Sequence, residues 1–305
     1  MSAVQIPNTF VTKRPASPTP NPIAPLDNPF IVGAESIPNA ATPIVITPRP
    51  LPNSNPPYAL NHARILYASE LLTSTVTTSA GTNGNLVLVP NTADRWAITA
   101  GGSITFTLST AVNMDSVAIG AHNLGSTNHV VSVEYSSAAT GTFSTFKAAR
   151  TPADDTALMF HNTTTVSVLR LKVTCTGSGS AFVGSIYAGI ALQMQRPFFA
   201  GHSPINLSAK TIRYSSMTEG GNFVGEQIRR LGFNTSAQFS NLENDWYRFY
   251  FQPFVVHART LPFYFAWNLD QYDTDVGYCK TSEDITPAYG VKDMFDVSFQ
   301  MMGFG

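Results

Sequence analysis

From Ala63 onward the chain consists of short alternating apolar and polar runs that turn residues separate. Residues 103–108 read Ser-Ile-Thr-Phe-Thr-Leu, and residues 129–135 and 163–173 are further runs of strand length. Gly-Thr-Asn-Gly at residues 81–84 is one of the interruptions. Because successive side chains of a strand point to opposite faces of a sheet, this alternation is typical of half-buried strands. Regular short strands without a helical stretch between them predict an antiparallel β-sandwich.

The first 57 residues have a different composition, since fourteen of the 21 prolines lie there. Their apolar residues follow neither a helical nor a strand period. Prolines remove hydrogen-bond donors and hold the chain extended, but residues 30–32 and 44–46 are too apolar for a simple solvated linker. We therefore predict an extended proline-rich arm over residues 1–60 that lies on neighbouring subunits. The alternative is a disordered tail or spacer.

Two segments follow the arm, and a chain of 305 residues is long enough for each to bury its own core. The sandwich pattern occupies residues 61–195, and a connector with two prolines closes it. Residues 196–305 are predicted to form a second β-rich domain. Its predicted strands are residues 207–214, 232–239, 263–267, 276–279 and 296–301.

One helix is predicted in the C-terminal segment, near residues 241–252. Ser240 or Asn241 can cap it, and Glu243 in the first turn suits the helix dipole. Pro253 is expected to end or kink the helix, because proline lacks an amide hydrogen and clashes with the preceding turn. The predicted fold class is therefore mainly β, with a single helix.

The chain carries few charges, with 12% charged residues and a formal net charge of −1. Soluble proteins usually have about 25% charged residues, so the low value favours permanent packing against other subunits. No run of Lys or Arg draws the chain to a nucleic acid or an anionic membrane. The N-terminus lacks a secretory signal, and no segment stays apolar for the length of a transmembrane helix. We expect synthesis in a cytoplasm, no nucleic-acid partner and no membrane insertion.

Residues that carry chemistry are sparse. Cys175 and Cys279 fall in different segments, which argues against a disulfide framework. The histidines show no metal-ligand spacing, and the acidic pairs at residues 154–155 and 283–284 lack a spaced loop of oxygen ligands. No phosphate-binding loop, nucleophile elbow or zinc-protease motif occurs. We predict no cofactor, no metal site and no catalytic residue, with a glycosidase built from two converging carboxylates as a minor alternative.

Residues 85–194 have a recognisable order of segments. A segment that ends in Trp96 comes first, then the runs at residues 103–108 and 114–124, and finally those at residues 167–174 and 183–189. In this order the segments resemble the galactose-binding-like, or discoidin-type, β-sandwich. That resemblance implies a recognition or scaffold module, which is seldom catalytic.

The segments after Gly201 resemble a family of tailed-bacteriophage virion proteins. The residues that carry this resemblance are 201–205, 219–225, 246–248, 262–267, 276–279 and 291–299. The glycines of residues 219–225 are expected to form a bulge or turn. In that family a discoidin-like module precedes a β-rich tail-associated domain, and the resemblance covers about four-fifths of the chain, residues 65–304.

The phage resemblance implies a structural, non-enzymatic virion subunit of the tail, baseplate or tail-proximal collar that is assembled in the host cytoplasm. Its partners would be other copies of itself and other virion proteins. The proline-rich arm lies outside this resemblance, and we expect it to clamp neighbours. Two alternatives stay open. The first is a receptor-binding tail module that recognises a host surface glycan, and the second is a capsid decoration protein.

A glycan site needs an aromatic face for the sugar ring and a few polar groups for its hydroxyls. Two sequence groups offer such a set: Asn91, Asp94, Arg95 and Trp96 in one loop, and His122 with Asn123 at the end of a strand. The alternative for both groups is structural. The matching tryptophan of discoidin-like domains packs inside the sandwich, and a His-Asn pair that ends a strand often hydrogen-bonds a turn.

Overall fold

The computed structural model describes residues 58–198, 202–290 and 293–304. The arm predicted for residues 1–60, with its clamping role, lies almost entirely outside these residues. Antiparallel strands dominate the described part of the chain, so the predicted mainly β fold class is confirmed. The strands are β1 Arg64–Leu66, β2 Thr75–Thr78, β3 Trp96–Ile98, β4 Gly102–His122, β5 Val130–Ser136, β6 Ser144–Arg150, β7 Leu158–Thr176, β8 Ala181–Gly189, β9 Leu192–Gln193, β10 Ala209–Met217, β11 Phe223–Glu243, β12 Phe263–Ala266, β13 Val276–Thr281, β14 Pro287–Tyr289 and β15 Met294–Phe304.

A seven-stranded sheet holds the first core, with strand order β3-β8-β4-β7-β5-β6 and β2 beside β4. The runs predicted at residues 103–108 and 114–124 belong to one long strand, β4. Its register against β7 shifts between Thr107 and Val112, and this irregularity absorbs the residues between the two runs. The alternation predicted for the first run is confirmed, because Ile104, Phe106 and Leu108 are all buried.

An eight-stranded sheet holds the second core, with strand order β10-β11-β15-β13-β12-β1-β9 and β14 beside β15. Strands β1 and β9 lie within residues 61–195 of the sequence, yet they belong to this sheet. Ile65 is opposite Phe265 of β12 on one side and Leu192 of β9 on the other. Strands from both ends of the predicted first segment therefore belong to the second sheet. The domain boundary between residues 195 and 196 stays a prediction.

The helical segment begins later and ends later than the sequence predicts. It consists of α1 Asn244–Trp246, a π-helical turn Tyr247–Phe251 and α2 Gln252–Ala258, and short 3-10 turns cover Glu70–Thr73, Gly84–Leu88 and Ile205–Leu207. The N-cap is Glu243, so the predicted caps Ser240 and Asn241 are wrong; both residues still belong to β11. Pro253 does not end the helical segment, which continues to Ala258; it lies at the start of α2, directly after the π-helical turn.

An aromatic group joins the two sheets. Tyr264 of β12 is fully buried, and its hydroxyl donates a hydrogen bond of 3.0 Å to the carbonyl oxygen of Ser185 in β8. Tyr187 contacts Tyr264 and Tyr278 edge-on, with ring centroids 5.3 and 6.1 Å apart. This contact fixes the end of β8 relative to the C-terminal sheet.

Strands β10 and β11 extend past the rest of their sheet as a two-stranded ribbon. β11 pairs with β15 only from Phe233 onward, whereas its residues before that pair with β10. The turn of the ribbon covers residues 218–222, where the amide of Gly221 donates to the carbonyl of Thr218. The turn expected from the glycines is therefore confirmed, but the strand that follows at residues 223–231 was not predicted.

Candidate functional site

The loop before β3 is held by its own side chains. The Asn91 side-chain oxygen accepts a 2.9 Å hydrogen bond from the amide of Ala93, and its amide nitrogen donates to Asp94 at 2.8 Å. Such an Asx turn fixes a loop without help from outside. The carbonyl oxygen of Pro90 also accepts a hydrogen bond of 3.2 Å from the Tyr278 hydroxyl. Asn91 and Asp94 are exposed, so a fixed amide and carboxylate face solvent.

Arg95 follows this loop and lies on an aromatic ring. Its guanidinium carbon is 3.9 Å from the centroid of the Phe182 ring. Phe182 lies opposite Ala97 in the β3–β8 ladder and is partly exposed. A cation–π contact at an exposed site contributes about 0.5–1 kcal/mol, enough to orient the planar guanidinium group. Arg95 and Asp94 are both exposed.

Asn123 connects the second predicted group to the same place. Its side-chain oxygen accepts a 2.7 Å hydrogen bond from the amide of Phe182, and its nitrogen donates to the carbonyl of Ser180 at 3.5 Å. Asn123 therefore fixes the start of β8 and positions Phe182. The structure brings the two predicted groups together through Phe182, which the sequence analysis missed. The only signal for it was an aromatic residue directly before the predicted run at residues 183–189.

Trp96 and His122 do not reach the surface, which corrects their prediction as glycan contacts. Trp96 is fully buried, and its indole nitrogen donates to the carbonyl of Ala80 at 3.1 Å. His122 is buried at the end of β4 and accepts a 3.3 Å hydrogen bond from the amide of Leu124. Burial lowers the pKa of His122 to about 4. Both side chains face the core, so the structural alternative describes them.

A buried polar group in β4 and β7 contains the residue types of a hydrolase. The Ser116 hydroxyl donates to Asp115 at 2.8 Å and lies 2.8 Å from Nδ1 of His161. Because the hydroxyl hydrogen is used on Asp115, His161 acts as a donor to Ser116 rather than as its base. Burial raises the pKa of Asp115 to about 6 and lowers that of His161 to about 3. All three are buried, so no substrate can reach them.

Two other features carry no site. A cleft of about 280 Å³ lies beside Arg150, but that guanidinium is already paired with Asp273 at 2.5 Å and hydrogen-bonds the Asp273 and Met159 carbonyls. Cys175 and Cys279 are both free and buried, and burial raises their thiol pKa values. Within the described residues no three His, Cys, Asp or Glu side chains gather as metal ligands.

No helix of the described residues has the length and apolarity that a membrane span requires. No protein-family model matches the chain, and no curated protein matches it.

Several solved structures align with about two-fifths of the chain. A Ruminococcus gnavus GH29 fucosidase in complex with fucose aligns at 15% identity with a TM-score of 0.37, over 43% of this chain and 28% of the fucosidase. The family 32 carbohydrate-binding module of Clostridium perfringens NanJ, in complex with galactose, aligns at 14% identity with a TM-score of 0.33, over 41% of this chain and 98% of the module. Reduced XRCC1 bound to the DNA polymerase β catalytic domain aligns at 15% identity with a TM-score of 0.34, over 40% of this chain and 99% of that one.

The chain thus spans little more than a quarter of the length of the fucosidase that it matches. All three TM-scores are below 0.5.

Proposed function

We propose that the chain is a glycan-recognising module whose contact surface consists of Asn91, Asp94, Arg95 and Phe182. The observation that carries this proposal is the placement of the Arg95 guanidinium on the Phe182 ring. A cation held against an aromatic ring, beside an exposed amide and carboxylate, supplies hydrogen-bond donors and acceptors on one surface. Preorganised polar groups next to an apolar face are what a saccharide site requires.

The charges of this surface favour a neutral saccharide. Asp94 and Arg95 are neighbours in sequence and both exposed, so their opposite charges largely cancel. Hydroxyl groups can donate to the carboxylate and accept from the guanidinium. Phe182, which is partly exposed although Arg95 lies over its ring, would provide an apolar contact for the carbon skeleton of the sugar. Asn123 acts as a positioning residue, since its side chain is engaged with the backbone.

A glycan array with the full-length chain tests this proposal. We expect reproducible binding that Arg95→Ala and Phe182→Ala each reduce at least about tenfold, which corresponds to 1.4 kcal/mol. Arg170→Ala is the matched control, because Arg170 lies on the ring of Phe143 at 4.5 Å, outside the proposed surface. Absence of binding, or equal binding by all variants, would overturn the proposal.

A second candidate function is that of a structural subunit of a bacteriophage virion, in the tail, baseplate, collar or capsid decoration. The observation that favours an assembly role is the ribbon, whose exposed large apolar side chains are Tyr214, Met217, Phe223, Val224 and Ile228. Exposed apolar groups in one place mark interaction surfaces. Locating the chain in a reconstruction of the particle tests this function, and absence of the chain from purified particles would overturn it.

The two functions are compatible in one protein, since the ribbon and the glycan surface use different residues. No catalytic step is proposed for either function. In the virion the chain would be a receptor-binding subunit assembled in the host cytoplasm, with copies of itself and other virion proteins as partners and a host glycan as ligand.

A further inference from the structure

The ribbon of β10 and β11 has an open side. Among the described residues β10 pairs only with β11, so every second backbone amide and carbonyl along its outer edge lacks a strand partner. A two-stranded ribbon is marginally stable by itself in water. An added strand would complete the hydrogen bonds of this edge, which is the usual way in which extended segments bind sheets.

Both faces of the ribbon carry apolar side chains that an added strand would cover. Arg213 is opposite Ile228 and Met217 is opposite Phe223, which places these four side chains on one face. Tyr214 belongs to the other face because side chains alternate along a strand. Met217, Phe223 and Ile228 are each more than half exposed, so the ribbon alone does not shield them.

The charges at this edge argue against pairing of β10 with a second β10. Arg213 is the central residue of β10, so antiparallel pairing of two copies over the full length of the strand would place the two Arg213 side chains opposite each other. Like charges directly opposite are destabilising. Arg213 instead has an acidic neighbour in its own ribbon, Glu226, at 3.9 Å. An uncharged strand fits this edge better.

The N-terminal sequence contains an uncharged run of β-branched residues that suits this role. Residues 44–47 read Ile-Val-Ile-Thr and consist only of β-branched residues, between Pro43 and Pro48. β-Branched residues favour strands, and a proline is tolerated at the first position of an edge strand. Ile44 and Ile46 would cover one face of the ribbon edge and Val45 the other.

We propose that residues 44–47 of one copy of the chain pair as an added strand with the outer edge of β10 in a second copy. This pairing rests on the assembly role proposed above and gives that role a specific contact.

The reach of the chain favours a second copy over the same copy. Tyr58 is bonded to Gln193 in β9, since its backbone amide donates to the side-chain oxygen of that residue. In the sheet β9 is six strand positions from β10, about 29 Å at the usual spacing. The ten residues between Thr47 and Tyr58 include five prolines, and a proline-rich segment of that length spans about 31 Å when extended. The same copy could therefore reach β10 only along a straight path across the sheet.

Sedimentation velocity on the full-length chain provides the first test. We expect self-association that the double variant Ile44→Asp/Ile46→Asp and the ribbon variant Tyr214→Asp/Met217→Asp both weaken at least about tenfold. Leu72→Asp is the matched control, because Leu72 is 60% exposed and lies outside the ribbon. The thermal midpoint of each variant is measured alongside, to separate loss of association from loss of folding; Tyr214, Met217 and Leu72 are all exposed.

Disulfide trapping between two tagged copies identifies the partner. One copy carries Val45→Cys and the other carries Ser215→Cys, an exposed residue of β10, while the native cysteines are buried. A mixed disulfide between the two copies supports the proposal. A disulfide only within a chain that carries both changes overturns the choice of a second copy. If Ile44→Asp/Ile46→Asp still associates, the pairing of residues 44–47 with β10 is overturned but the assembly role is not. If the wild-type chain is monomeric and absent from particles, both proposals are overturned.

Discussion

Arg95 lies over Phe182 with its guanidinium carbon 3.9 Å from the ring centroid, although the two residues are far apart in sequence. The β3–β8 ladder creates this contact, because Trp96 is opposite Val183 and Ala97 is opposite Phe182. The contact holds the exposed Arg95 side chain against an aromatic ring, directly after the loop that contains Asp94. It is the geometric basis of the proposed glycan surface.

Arg95→Ala should separate binding from folding. We expect the free energy of unfolding to fall by no more than about 1 kcal/mol, because the contact is exposed. Glycan affinity should fall at least about tenfold, since the donors are lost. Urea unfolding and calorimetric titration of the same samples measure both quantities. A large loss of stability with unchanged affinity would contradict a recognition role for Arg95.

Trp96→Ala, in contrast to Arg95→Ala, should strongly reduce the free energy of unfolding. Trp96 is fully buried and its indole nitrogen donates to Ala80, so its removal leaves a cavity and an unpaired carbonyl. We expect a loss of about 3–5 kcal/mol in the free energy of unfolding. Trp96→Phe keeps much of the volume and should cost clearly less. Chemical denaturation of the wild type, Trp96→Phe and Trp96→Ala checks this order of stability. A Trp96→Ala variant with nearly the stability of the wild type would contradict the core position of Trp96.

Acidification should destabilise the fold through His122 and His161. Burial lowers their folded-state pKa values to about 4 and about 3, whereas an unfolded histidine has a pKa of about 6.5. Below pH 6.5 the unfolded chain therefore binds protons that the folded chain does not. These two histidines make the free energy of unfolding fall as pH falls from about 6.5 towards 4, by at most about 1.4 kcal/mol per pH unit for each group.

Asp115 changes the free energy of unfolding with pH in the opposite direction to the two histidines, because burial raises its folded-state pKa to about 6. Between pH 6 and 4 the folded chain keeps a proton there that the unfolded chain has lost. His122→Asn should therefore reduce the fall in the free energy of unfolding between pH 6.5 and 4.5. The contribution of Asp115 to that free energy should be the same in the variant and in the wild type. Urea midpoints over this pH range measure the slopes. Equal slopes for wild type and His122→Asn would show that His122 is not a buried neutral group.

Gly120→Ala should test the contact between the two sheets. A Cβ at Gly120 would lie 2.8 Å from the Tyr264 hydroxyl and 2.9 Å from its ring, and Tyr264 has no free space to move into. We expect a loss of about 1–3 kcal/mol from overpacking. Gly225→Ala is the control, since nothing lies within 4 Å of the added carbon. Thermal unfolding compares them, and equal midpoints would contradict this packing.

Local patterns in the sequence were enough to predict much of the first sheet. The runs at residues 103–108 and 183–189 fall within strands, and the run at residues 129–135 matches β5 except for its first residue, because alternation and β-branched residues are local signals. Strands β1 and β9 could not be assigned to the second sheet in this way. Phe265, the β12 partner of Ile65, is about two hundred residues away in sequence, and β9 joins the sheet only through its pairing with β1. Pairing over such a distance depends on the tertiary fold.

The candidate site also combines features that local sequence predicts with features that depend on the tertiary fold. The loop with Asn91, Asp94 and Arg95 was predicted from residue types alone, and all three side chains are exposed. Burial of Trp96 and His122 could not be fixed by residue type, because tryptophan and histidine occur both in cores and on surfaces. Phe182 was missed because its role comes from a cross-strand neighbour, which one sequence does not display.

Amide hydrogen exchange is the measurement that tests glycan recognition most directly. The full-length chain would be compared with and without the saccharide that binds most strongly on the array. The proposed surface predicts slower exchange at residues 91–95 and 180–183, no change in the ribbon, and no protection in Arg95→Ala. Protection confined to other residues, or no saccharide that binds at all, would contradict the account.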